Sequence, residues 1–213
     1  MDKYIIEFIG TYFLMLAICM SVIGGLGTFA PIAIGMTLIG VIYMGGHISK
    51  AHYNPAVTLA FIICRKIDNA DILGYLVAQI GAAFLANLTA GYLLSSYITL
   101  PEITMMDLSP KIFPALLAEF LGTFILALVI LNVAIAKGTA GNNFYGVAIG
   151  FTVIGIAYAF GGISGGAFNP AVAIGISMAE LVQWNDIWIF LVANFAGGAS
   201  AGVVFKITAE TQD

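Results

Sequence analysis

Residues 47–58 read HISKAHYNPAVT, and residues 164–172 read SGGAFNPAV. Both stretches contain the tripeptide Asn-Pro-Ala, at Asn54, Pro55 and Ala56 in the first and at Asn169, Pro170 and Ala171 in the second. Asparagine is favoured at a helix start, and proline is well tolerated in the first helical turn. We therefore predict that a short apolar helix begins at each tripeptide, over about residues 54–64 and 169–181.

The composition around these stretches indicates a membrane protein. Of 213 residues, 61% are hydrophobic and 8% are charged. A soluble domain carries about 25% charged residues, so lipid must be the solvent for most of this surface. A bilayer core about 30 Å thick needs about 20 apolar residues per helix. We predict spanning helices at about 4–25, 29–47, 72–96, 112–136, 143–161 and 187–207.

Each short helix covers about half of the bilayer core, at about 1.5 Å per residue. Non-helical backbone, which we predict at residues 47–53 and 162–168, is tolerated at membrane depth only beside water or inside protein. We therefore predict two re-entrant loops, each entering from its own face of the membrane. The short helices would then meet N-terminus to N-terminus near the midplane.

The two halves of the chain are repeats. The segment EFIGT at residues 7–11 recurs as EFLGT at 119–123, and an offset of 115 residues separates Asn54 from Asn169. Each half holds three crossings, and this odd number turns the second half upside down. We predict an all-α membrane protein with six transmembrane helices, two re-entrant half-helices and an inverted repeat. It forms one domain over residues 1–213, with repeats over about 1–100 and 112–213.

The basic residues predict the orientation. If the helices cross alternately, Lys111 alone lies on one side, and all the other basic residues lie opposite. The positive-inside rule then predicts a multi-pass protein of the cell membrane with both termini in the cytoplasm. No basic run suggests a nucleic-acid partner. The residues on the cytoplasmic side are Lys3, Lys50, Arg65, Lys66, Lys137 and Lys206.

Glu7 and Glu119 lie at equivalent positions inside apolar helices. An acid inside the membrane suggests ion or proton transport. The symmetric placement of the two acids favours a structural role instead, in which each carboxylate accepts hydrogen bonds from the backbone of a re-entrant loop. We expect Ser49, Ser164 and His47 to support the same loops. His47 and His52 have no third ligand at a metal-binding spacing, so we expect no metal site.

The predicted geometry favours the passage of neutral molecules. Helix N-termini carry partial positive charge, so two of them facing one lumen would repel cations, including hydronium. Asn54 and Asn169 would cap their helices and aim amide N–H groups at the lumen. Carbonyl groups before each asparagine would supply hydrogen-bond acceptors along the path.

These stretches, with EFIGT and EFLGT, resemble those of the aquaporin (major intrinsic protein) family, and the resemblance covers essentially the whole chain. It implies a passive channel for water and small neutral solutes, with no enzymatic activity and no cofactor. It also implies a homotetramer in the lipid bilayer, in which every subunit has its own pore.

The family also has an outer constriction of four residues, which the resemblance carries over to Ile34, Ala157, Gly166 and Val172. Most members place Arg directly after the second Asn-Pro-Ala, where this chain has Val172. Strict water channels tend to have an aromatic residue and a His at the places of Ile34 and Ala157. An apolar ring can conduct poorly by dewetting or pass less polar solutes. A similar Val occurs in some plant vacuolar members of the family, and this resemblance implies water, ammonia, hydrogen peroxide and urea as candidate permeants, with glycerol also considered.

Two alternatives to a passive channel stay open. Glu7, Glu119 and the missing Arg would also suit a proton- or ion-coupled transporter. A non-conducting structural relative would share the same signatures. An intramembrane enzyme is not supported, because no catalytic set of residues is visible in the sequence.

Overall fold

The structure, a computed structural model, describes residues 1–99 and 104–209. Within these ranges the six long helices are those predicted from the sequence, and their ends differ from the prediction by at most three residues. The helices are α1 Asp2–Val22, α2 Ala30–Ser49, α3 Pro55–Ile63, α4 Ile72–Tyr97, α5 Ile112–Ala134, α6 Tyr145–Ser164, α7 Pro170–Met178 and α8 Ile187–Ala209.

The predicted non-helical stretches were placed too early. Helix α2 continues through Ser49 and α6 through Ser164, so the loops are residues 50–54 and 165–169, not 47–53 and 162–168. The next residues, Lys50 and Gly165, have φ of 68° and 97°. A residue in this left-handed conformation ends a helix. The glycines that precede Ser49 and Ser164 do not break the helices.

Each of the six long helices is long and apolar enough to cross a membrane, with mean hydropathy between 1.6 and 2.3 over 18 residues. Large apolar side chains cover their outward faces, where lipid replaces water as the solvent. The predicted all-helical, multi-pass membrane fold is therefore confirmed. The most exposed of these side chains include Leu73, Val77, Phe113 and Ile207.

The helices pack as two matching halves. In the first half α1 packs against α2 and α4, and in the second half α5 packs against α6 and α8. The halves join where α2 meets α6, while α3 packs on α8 and α7 on α4. Because the chain crosses the membrane six times, Met1 and the end of α8 lie on the same side, which we call the terminal side. We call the opposite side the distal side. Residue 100 and residues 210–213 of the predicted repeats lie outside the described residues.

Equivalent hydrogen bonds join each of α2 and α6 to the residues just before the other helix. Tyr43 Oη donates to the carbonyl of Asn143 over 2.8 Å, and Tyr158 Oη donates to the carbonyl of Thr28 over 2.7 Å. The offset of 115 residues relates these two bonds to each other. A pseudo-two-fold axis therefore passes between α2 and α6.

Two aspartates fix the connections before α4 and α8. Asp71, at the start of α4, accepts hydrogen bonds from Lys3 and Tyr4 of α1. Asp186, the repeat equivalent of Asp71, accepts from the backbone N–H of Leu108 over 2.7 Å. These bonds hold the ends of neighbouring helices together on the terminal and distal sides.

Candidate functional site

The two half-helices begin in the same way. Asn54 Oδ1 accepts hydrogen bonds from the backbone N–H groups of Ala56 and Val57, over 2.8 and 3.4 Å. Asn169 Oδ1 accepts from Ala171 over 2.9 Å. Both asparagines have extended backbones, with φ of −160° and −162°, and a proline follows each of them. Each asparagine is thus the N-cap of its half-helix, which satisfies N–H groups that have no partner within the helix.

The same two asparagines also bind each other's loops. Asn54 Nδ2 donates to the carbonyl of Phe168 over 2.9 Å, and Asn169 Nδ2 donates to the carbonyl of Tyr53 over 2.9 Å. These reciprocal bonds bring the N-termini of α3 and α7 together. A side-chain amide has two N–H donors, so each asparagine keeps a second donor beyond this bond.

Glu7 of α1 accepts hydrogen bonds from the first re-entrant loop. Its carboxylate accepts from Ser49 Oγ over 2.7 Å and from the backbone N–H groups of His52 and Tyr53 over 2.9 and 2.7 Å. Gln79 Nε2 of α4 donates to it over 2.9 Å. Glu7 is fully buried. One acid therefore satisfies several buried donors that lipid could not satisfy.

Glu119 of α5 accepts equivalent bonds from the second loop. Ser164 Oγ donates to its carboxylate over 2.6 Å, and the backbone N–H groups of Ala167 and Phe168 donate over 3.0 and 2.7 Å. The side chain of Glu119 is fully buried. The predicted loop residues Glu7, Ser49, Glu119 and Ser164 therefore lie together in two matching clusters.

Sequence reasoning missed a further member of each cluster, an amide side chain. Gln79 also donates to Thr58 Oγ1 over 3.2 Å. With the amide of Asn194 oriented to satisfy both of its ends, its nitrogen donates to Glu119 over 2.9 Å and its oxygen accepts from the N–H of Asn169 over 3.0 Å. Gln79 and Asn194 are repeat equivalents in the segments Val-Ala-Gln and Val-Ala-Asn. That match was the available signal.

Both loops contain residues with left-handed backbones. Such a conformation is costly for residues other than glycine, and it persists where surrounding contacts determine it. The bonds to Glu7 and Glu119 supply those contacts. The repeat-equivalent pairs are Lys50 and Gly165, Ala51 and Gly166, and Tyr53 and Phe168, with φ between 47° and 97°.

The two histidines lie in different surroundings. His47, which was expected to pack against the first loop, is exposed in the last turn of α2. His52 is buried, its Nδ1 lies 3.1 Å from Thr58 Oγ1, and its ring centre lies 4.0 Å from that of Phe61. Within the described ranges, no group of three His, Cys, Asp or Glu side chains is placed to bind a metal ion.

A cavity of about 380 Å³ passes beside the paired asparagines. Its wall is mainly apolar and comes from α1, α2, α5, α6, α7, both loops and the start of α3, together with Met106, Leu181 and Val182. Asn54 and Asn169 contribute to the wall. The four residues of the predicted constriction, here called the distal ring, all border this same cavity, and they are Ile34, Ala157, Gly166 and Val172.

Comparisons with known proteins agree with this architecture. The profile of the family described as Major intrinsic protein matches residues 1–205. The chain is 33% identical over 223 residues to Nodulin-26 of Glycine max, covering 99% of this chain and 79% of that protein. It is 32% identical over 240 residues to Aquaporin AqpM of Methanothermobacter thermautotrophicus, covering 96% of each.

A solved structure has the same fold. The X-ray structure of the aquaglyceroporin from Plasmodium falciparum superposes with a TM-score of 0.81 at 25% sequence identity. The match covers 95% of this chain and 94% of that one. The chain belongs to the major intrinsic protein family.

Proposed function

We propose that this protein is a passive channel that conducts water and small uncharged solutes through the cavity beside Asn54 and Asn169. The observation that carries the proposal is the pair of reciprocal bonds from these asparagines to Phe168 and Tyr53. They hold the N-termini of both half-helices beside one cavity. The partial positive charge of those N-termini opposes cations, while the remaining amide donors suit neutral hydrogen-bond acceptors.

Membership in the major intrinsic protein family supports the same function. One relative is named an aquaporin, and the matching solved structure is described as an aquaglyceroporin. The proposed transport is bidirectional and follows the solute gradient. It requires no covalent step and no cofactor.

The contacts of Glu7 and Glu119 favour a passive channel over a proton-coupled transporter. Each carboxylate accepts hydrogen bonds from a serine, from loop N–H groups and from an amide side chain. Both acids therefore serve to hold the loops. A proton relay needs a carboxylate that exchanges protons along a path, and these two are already surrounded by donors.

The distal ring supports a broader choice of solute than water alone. Its four residues are apolar, and Val172 offers no hydrogen-bond donor in place of the hydration that a permeant loses. In an apolar ring, the loss of hydration costs a weakly polar solute less than a strongly polar one. The small residues Ala157 and Gly166 also leave room for solutes larger than water, so we propose ammonia, hydrogen peroxide, urea and glycerol beside water.

We further propose a homotetramer in the cell membrane, with both termini in the cytoplasm and one pore in each subunit. The cavity lies within a single chain, which supports one pore per subunit. The excess of Lys and Arg on the terminal side supports the orientation. Cross-linking and mass measurement of the purified protein test the tetramer, and protease accessibility in intact cells tests the orientation.

The channel function is tested by stopped-flow measurements on proteoliposomes. Water, ammonia, hydrogen peroxide, urea and glycerol are each compared with empty vesicles, and ion currents are recorded in planar bilayers. We expect water and at least one other solute to cross faster than in empty vesicles, without ion current. Ion current, or uptake that depends on a pH gradient, would instead support the coupled transporter.

A further inference from the structure

The cavity extends to the terminal side of the paired asparagines, where none of the predicted constriction residues lies. Four apolar residues border it there, and we call them the terminal ring. Each has a repeat equivalent in the distal ring at an offset of 115 residues. The pairs are Ile149 with Ile34, Ile42 with Ala157, Ala51 with Gly166, and Val57 with Val172.

The pseudo-two-fold axis relates the two rings in space. It passes between α2 and α6, and the reciprocal bonds of Asn54 and Asn169 follow the same symmetry. Positions related by this axis lie equally far from the asparagines on opposite sides. The terminal ring therefore lies across the path of the solute, as the distal ring does.

The terminal ring is the bulkier of the two. Two positions carry the same residue types in both rings, isoleucine on a long helix and valine after Asn-Pro-Ala. At the third position Ile42 replaces Ala157, and at the fourth Ala51 replaces Gly166. Both differences add carbon atoms on the terminal side. With the same backbone symmetry, the larger side chains leave the narrower opening.

The exposed fractions of the ring residues also indicate that the terminal ring is the narrower of the two. Of the distal ring, only Val172 is buried, and the other three members are half-buried. Every member of the terminal ring is buried, and less of each is accessible to a molecule the size of water. The exposed fractions are 2% for Ile42, 6% for Ala51, 1% for Val57 and 4% for Ile149.

The cavity also ends differently on its two sides. On the distal side Ala30 and Pro31 border it, beyond the distal ring. Among the described residues, Tyr145 and Gly146 hold the equivalent positions on the terminal side, and they do not border it. The ring of Tyr145 packs instead against Tyr43, with 5.1 Å between ring centres. The cavity therefore reaches further beyond the ring on the distal side than on the terminal side.

We propose that the terminal ring, formed by Ile42, Ala51, Val57 and Ile149, sets the size limit for permeating solutes. The distal ring is then the wider filter, which acts through its polarity. This inference rests on the proposed channel function. It predicts that solutes larger than water are rejected mainly on the terminal side of the paired asparagines.

The test gives the terminal ring the composition of the distal ring. The double variant Ile42→Ala with Ala51→Gly does so, and the left-handed backbone of Ala51 accepts glycine readily. Ile34→Ala is the matched distal variant, since it enlarges the distal ring by the same isoleucine-to-alanine change. Ile207→Ala, at an exposed position that does not border the cavity, is the control. Glycerol, urea and water fluxes of all variants are measured in proteoliposomes at equal protein content. Ala51→Gly alone replaces the double variant if the latter does not purify as a folded protein.

We expect the double variant to raise the glycerol flux and the urea flux several-fold. Ala51→Gly alone should raise both fluxes by a smaller factor. Ile34→Ala should raise both fluxes less than the double variant does, and Ile207→Ala should leave them near those of the wild type. The inference is overturned if Ile34→Ala raises glycerol flux as much as the terminal variants do, or if the terminal variants change nothing while water still passes. Absence of all flux from the folded wild type would overturn the channel function itself.

Discussion

The ring of Tyr53 lies against Gly10, so closely that a β-carbon on Gly10 would come within 2.1 Å of it. Phe168 lies against Gly122 in the same way, at 2.3 Å. Tyr53 and Phe168 directly precede the two capping asparagines. The glycines of α1 and α5 therefore determine how closely the re-entrant loops approach the long helices.

Gly10→Ala should displace Tyr53 and with it the first loop. Overpacking of this kind costs about 1–3 kcal/mol. Gly40→Ala is the matched control, because among the described residues a β-carbon there would meet no heavy atom within 4 Å beyond its chain neighbours and the adjacent backbone of its own helix, and alanine favours a helix. We expect thermal unfolding in detergent to occur at a lower temperature for Gly10→Ala, and water flux to fall. Gly40→Ala should match the wild type, and equal stability of the two variants would contradict this account.

Glu119→Gln should destabilise the second loop. The amide that replaces the carboxylate has one acceptor oxygen in place of two, and its nitrogen would face donors such as the backbone N–H of Phe168. Each buried donor left without an acceptor costs about 1–3 kcal/mol. Glu180→Gln, at an exposed position, is the control. The measurement is the unfolding temperature in detergent together with water flux. A Glu119→Gln protein as stable as the Glu180→Gln protein would show that the carboxylate does not hold the loop.

Asn54→Asp separates the two roles of this side chain. The carboxylate can still accept from Ala56, but it cannot donate to the carbonyl of Phe168, and its charge offsets the positive ends of the half-helices. We expect lower stability and a raised proton leak across proteoliposomes. Asn132→Asp, which changes an exposed asparagine whose Nδ2 also donates to a carbonyl, is the control. If the two variants have the same leak and the same stability, the reciprocal bond has no role in excluding protons.

Val172→Arg should narrow the distal ring and give it a fixed cation with hydrogen-bond donors. We expect glycerol and urea flux to fall while water flux is retained, because donors replace part of the hydration that water loses. Val172→Met is the control for added length without charge. Unchanged permeability to water, urea and glycerol in Val172→Arg would remove Val172 from the wall of the pathway.

The sequence predicted the features that depend on local pattern and on repetition. The lengths of the apolar segments located the six long helices, and the two Asn-Pro-Ala tripeptides located the half-helices. The recurrence of Glu7 as Glu119 led to the prediction that both acids hold loops, and in the structure both carboxylates accept hydrogen bonds from loop N–H groups.

Other features depend on contacts between distant parts of the chain. The bond from Asn54 to the carbonyl of Phe168 joins loops that are 114 residues apart, and its direction depends on side-chain conformation. The roles of Gln79 and Asn194 likewise depend on the packing of α4 and α8 against α1 and α5, the helices that carry the two acids. The ends of α2 and α6 were predicted too early because the paired glycines shortly before Ser49 and Ser164 do not break these helices, which continue up to the left-handed residues Lys50 and Gly165.

The central claim is that solutes cross through the cavity beside the paired asparagines. The most direct test is stopped-flow water permeability of Ala157→Trp, because Ala157 borders the cavity and an indole there would fill much of its width. At equal amounts of folded protein, we predict that wild-type vesicles are clearly more permeable than empty ones and that Ala157→Trp vesicles match the empty ones. Wild-type water permeability in the folded Ala157→Trp protein would show that the pathway lies elsewhere.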